Sequence, residues 1–108
     1  MTMIDAHIGD FDSPGFSFYN GGSIPKRQSP FLPRAREILD AILEMKRNGE
    51  YEARQLDWGS WGAKMTKQQL SDFIDSFYGK NKDPDVRKYV KELDTDKYYV
   101  LVAYETGG

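Results

Sequence analysis

An α+β fold is what this sequence predicts: three helices packed on a small, mostly antiparallel sheet, in the order β-α-β-α-α-β. Three observations carry the prediction. Apolar residues recur at i, i+3, i+4 and i+7, or close to it, in three separate stretches bounded by helix start and stop chemistry. The stretch Tyr98 to Glu105 is apolar on both alternating faces, the pattern of an interior strand. Thr66 and Gln69 stand at capping-box spacing, with Met65 and Leu70 placed to staple across the cap.

In chain order, residues 1–32 form a leader rich in Ser, Gly and Pro, without helical period. Its one weak alternation, Phe16–Tyr19, is the first predicted strand, followed by a loop at Asn20-Gly21, and the rest is expected to be partly disordered. Pro33 suits the first position of a helix, with Ser29 or Leu32 as its boundary. Ala35, Ile38, Leu39, Ile42 and Met45 then line one face, and Asn48-Gly49 stops the helix. Tyr51–Leu56 is the second strand. The turn Asp57-Trp58-Gly59-Ser60-Trp61-Gly62 follows, and the next helix opens at Thr66. Its stripe is Leu70, Phe73, Ile74 and Phe77, with Gly79 as a left-handed C-terminal cap. Asp83-Pro84-Asp85 opens a third helix with a cap, a proline at the first position and a carboxylate facing the dipole. Val86, Tyr89, Val90 and Leu93 form its apolar stripe. Residues 33–106 are thus the core of a single domain, which 108 residues suffice to build.

Composition excludes several classes. A net charge of −2 argues against a dedicated nucleic-acid binder. Without cysteine there are no disulfides, thiolate metal sites or thiol nucleophiles, and a reducing, cytoplasmic interior is favoured. Met1 to Asp12 carries acids and no long apolar run, unlike a signal peptide, and no segment reaches the ~20 apolar residues of a membrane span. The compactness suits a prokaryotic or phage-like protein.

Catalytic patterns fail one by one. Gly59-Ser60-Trp61-Gly62 misses the nucleophile elbow because Trp58 stands where its first glycine should be, and the single histidine, His7, lies far away in the leader. His7 with Asp5, Asp10 and Asp12 offers one imidazole and no thiolate, so these read as solvated groups and no metal is expected. Asp72 and Asp75 share the polar face of a helix, where nothing raises a carboxyl pKa. Asn20 to Arg27 could hold a phosphate on backbone N–H groups, though the Walker order is absent. No cofactor is expected.

The turn between the second strand and the second helix is the best candidate surface. Its glycines let the backbone bend, and its tryptophans supply rigid contact area. Trp58 continues the alternation Arg54, Leu56, Trp58 and is assigned to the core, whereas Trp61 is assigned to solvent. The expectation is a non-catalytic interaction protein. Trp61 and Ser60 would anchor the partner, with Asp57 and Trp58 alongside, and Lys26, Arg27, Arg34 and Arg36 would form a basic rim for an acidic partner. The alternative is a small anionic-ligand-binding or enzymatic domain with a Tyr/Arg-lined pocket. Because both faces of Tyr98–Glu105 are apolar, the face away from the helices needs cover from the leader, from more helix, or from a second subunit in a homodimer.

Overall fold

The computed structural model describes residues 3–106, and these form an α+β fold. Among the described residues the elements are β1 (Met3–Asp10), α1 (Ala35–Asn48), β2 (Glu52–Asp57), β3 (Ser60–Thr66), α2 (Lys67–Tyr78), α3 (Pro84–Lys91) and β4 (Tyr98–Thr106). The strands make one antiparallel sheet in the order β1-β4-β3-β2, so the doubly apolar β4 is interior, as its pattern requires. No described helix is long and apolar enough to cross a membrane.

The helices form where their periodicity places them, and their ends test the capping chemistry. Thr66 accepts a hydrogen bond from the backbone N–H of Gln69, and the Gln69 side chain accepts one from the N–H of Thr66, completing the capping box. Gly49 closes α1 in the left-handed conformation. Other ends differ from expectation. Helix α1 starts at Ala35 rather than Pro33, with Arg34 at φ 59° as its cap. Arg34 is tied down there by Glu37 and by the Phe77 carbonyl. Asp83 precedes α3 at φ 53° but makes no side-chain cap bond. Gly79 takes φ 87° and ψ 153°, outside the left-handed helical region expected of it.

The first strand is not where the alternation of Phe16–Tyr19 puts it. That segment is a turn, and the strand is Met3–Asp10, paired along its length with β4 from Met3↔Thr106 to Asp10↔Tyr99. Its own alternation sends Ala6 and Ile8 into the helix-side core and His7 to the opposite face. The outer edge of β1 is closed by the returning chain. Gln28 and Ser29 donate to the Ile8 carbonyl, Leu32 donates to that of Ala6, and Ser29 Oγ accepts from the Ile8 N–H at 2.8 Å. A strand edge is thus satisfied without a further strand.

Two cores result. Between helices and sheet lie Ile38, Ile42, Met65, Leu70, Ile74 and Leu101, among others. On the far face Phe18, Leu56, Val100 and Val102 pack together, flanked by Phe11, Phe16, Ile24 and Tyr104. The leader therefore covers the second face of β4, with no second subunit needed to bury it. Lys64 fastens this cover. Its ammonium sits 4.3 Å from the centre of the Tyr98 ring, 4.7 Å from that of Phe11 and 5.6 Å from that of Tyr19, and donates to the Tyr19 hydroxyl. Such contacts contribute about 0.5–1 kcal/mol at exposed sites.

Candidate interaction site at the hairpin tip

The central turn is a tight β-hairpin. Strands β2 and β3 pair from Glu52↔Lys64 to Gln55↔Trp61. The register then shifts, and Asp57 rather than Leu56 faces Ser60. This bulge ends the alternation, so Leu56 is the last residue to enter the second core and Trp58 is carried over the apex. Gly59 completes the reversal at φ 69°, a conformation that costs glycine little.

The tryptophan assignments are thereby reversed. Trp58, expected in the core, is 89% exposed. Trp61, expected in solvent, lies on the helix-side face of β3, half-buried against the main core, with Lys46 Nζ 6.0 Å from its ring centre. Ser60, expected as part of the anchor, is buried at the base of the turn. Extending a strand's period across a turn predicts the wrong face because the bulge and the reversal both reset it.

The apex is held stiffly. Asp57 Oδ1 accepts from the Trp58 N–H at 2.8 Å, the Glu105 N–H donates to the Gly59 carbonyl at 2.9 Å, and the Gly22 N–H donates to that of Leu56 at 2.7 Å. The Glu105 side chain packs against Gly59, close enough that a Cβ added there would meet Glu105 Oε2 at 2.7 Å. The carboxylates of Asp57 and Glu105 thus both lie at the turn that carries Trp58.

The expected basic rim lies elsewhere. Lys26 and Arg27 follow β1 near its Gly9 end, with Arg27 stacked over Phe31 at 4.4 Å and bonded to the Ser29 carbonyl. Arg34 packs on the Phe77 ring at 4.5 Å, and Arg36 is exposed in the first turn of α1. None of the four is recorded in contact with the tip among the described residues: the Lys26 carbonyl lies against Gly9 of β1, which β4 separates from the hairpin, and Arg34 and Arg36 stand at the start of α1. Asp57, Trp58 and Glu105 meet at the tip; the four cations do not join them.

No protein-family model matches the chain, and comparison with curated proteins and solved structures returns no match.

His7 proves structural. It is 2% exposed, donates from Nε2 to the Pro25 carbonyl at 2.8 Å, and accepts at Nδ1 from the Tyr104 hydroxyl at 3.2 Å. The carbonyl can only accept, which places the ring proton on Nε2 and leaves neither nitrogen free for a serine. It is thus a buried strand residue rather than a solvated group in a mobile leader. Asp10, grouped with it in sequence, bonds Gln28 and Lys97 instead, and no group of three metal-ligating side chains occurs among the described residues. In the Asn20–Arg27 loop, weighed above as a phosphate cradle, the amides of Gly22 and Lys26 are taken by the Leu56 carbonyl and by Ser13 Oγ.

Burial lowers the His7 pKa from its ordinary value, outweighing the Pro25 hydrogen bond that raises it. The unfolded chain then binds a proton that the folded one refuses. Stability from this group is complete above the unfolded pKa of about 6.5 and is lost progressively as pH falls below that value toward the lowered folded one. Urea midpoints measured from about pH 7.5 down to 5 are expected to fall more steeply for the wild type than for His7→Gln. Parallel slopes would exclude the histidine as the cause.

Proposed function

We propose that this protein is a non-catalytic binding module that engages a protein partner through the β2–β3 hairpin tip, with Trp58 as the anchor. The observation that carries this reading is an indole left 89% exposed on a turn that three hydrogen bonds hold in place. Tryptophan is enriched at binding hot spots, and a pre-ordered anchor loses little entropy on docking. Asp57 and Glu105, at the same turn, favour a partner whose apolar pocket has a basic margin. The four cations form no part of this anchor, so the partner proposed here differs from the acidic one expected from them. The absence of cysteine is compatible with a cytoplasmic setting, which is carried here as part of the proposal.

Trp58→Ala should weaken binding to a captured partner by about 2 kcal/mol or more, as for a hot-spot residue. Its melting temperature should stay within about 2 °C, since no core contact is removed. Surface plasmon resonance and thermal melts on the same preparations test both halves. Undiminished affinity in Trp58→Ala would remove the tip from the interface.

A further inference from the structure

Helices α2 and α3 meet along a groove of about 320 Å³, lined by Lys67, Gln68 and Ser71 on one side and Arg87 and Lys91 on the other, over Ile74 and Val90. No carboxylate lines it, although acids outnumber bases in the chain, 17 to 15. The cations are held differently. Arg87 is neutralised by Asp75 and bonded to the Gly79 carbonyl, so it braces the groove. Lys67 donates to the Lys91 carbonyl at 2.7 Å, which ties the helices together and leaves two of its ammonium protons to offer. The Lys91 side chain has no acidic partner among the described residues. The nearest carboxylate recorded against a lining side chain, apart from Asp75, is Asp72, which accepts from Gln68 at 3.0 Å.

We propose that this groove binds a small amphipathic organic anion. The anionic head would rest between the ammonium groups of Lys67 and Lys91, with Gln68 and Ser71 as further donors. A short apolar body would lie chiefly along the lysine stems, which carry apolar surface up to their charged ends, above the nearly buried Val90 and Ile74. Charge complementarity selects the head and the lysine stems select the short body. The site is on the helical layer, apart from the hairpin tip, and does not depend on the role given to Trp58.

Hexyl phosphate titrated into the ¹⁵N-labelled full chain, followed by amide NMR shifts, tests the proposal. The expected result is a saturable shift centred on Lys67, Gln68, Ser71 and Lys91. Affinity should be about tenfold weaker or less measurable still in Lys67→Gln/Lys91→Gln, as the loss of two surface charge pairs implies. Trp58→Ala should bind as the wild type does. Lys91→Gln alone leaves the Lys67 bond to the Lys91 backbone in place, so it keeps the test decisive if the double change shifts the helices; it should weaken binding about threefold. Any of three results would overturn the proposal: no saturation up to about 10 mM, shifts spread over lysines outside the groove, or inorganic phosphate binding as tightly as hexyl phosphate.

Discussion

Phe18→Ala is expected to destabilise the protein by about 3–5 kcal/mol, the range for removing a buried aromatic ring. Phe18 is 1% exposed and sits at the centre of the second core, on Leu56, Val100 and Val102. It also touches Phe11 and Tyr19, at ring separations of 5.7 and 5.2 Å, so one side chain links the leader to itself and to the sheet. Its loss leaves a cavity on a face that carries no helix. Equilibrium urea unfolding would give the free energy, and binding of a hydrophobic dye would report whether the cover lifts before the rest unfolds. A loss under about 1 kcal/mol would show that the leader contributes little to the fold.

Gly9→Ala is expected to cost about 1–3 kcal/mol through overpacking. Strand propensity predicts the opposite sign, because glycine in a strand interior is the weaker residue. Position 9 is an exception for a reason of packing. A Cβ there would come within 2.7 Å of the Lys26 carbonyl oxygen and 2.8 Å of Pro25 Cβ. Neither obstacle is the flexible end of a side chain, and the same segment holds His7 through the Pro25 carbonyl. The decisive measurement is the urea midpoint of Gly9→Ala beside that of Gly15→Ala. Gly15 meets nothing within 4 Å but has φ 75°, so the second variant reports conformational strain alone. A Gly9→Ala protein more stable than wild type would mean that the leader stands further from β1 than described.

Legibility in the sequence followed the range of the interaction. The capping box at Thr66 and Gln69, the apolar stripes of α1, α2 and α3, and the two-sided apolarity of β4 involve residues within a few positions of each other. Those elements formed as read. Strand β1 was missed because a segment with acids, a histidine and a glycine has weak strand propensity of its own, and long-range pairing with β4 supplies what propensity lacks. The two tryptophans were exchanged for a related reason. Alternation is a rule within a strand, and the bulge at Leu56 with the turn at Gly59 breaks it between positions 56 and 61.

Helix positions and the interior place of β4 therefore belong to the chain's local chemistry, where a few neighbouring residues settle the free energy. Which face each tryptophan meets, what covers the sheet opposite the helices, and the meeting of Lys67 with Lys91 across a groove belong to the assembled fold. Each of those depends on surfaces brought together from distant parts of the chain, and their burial free energy does not exist until both surfaces are in place.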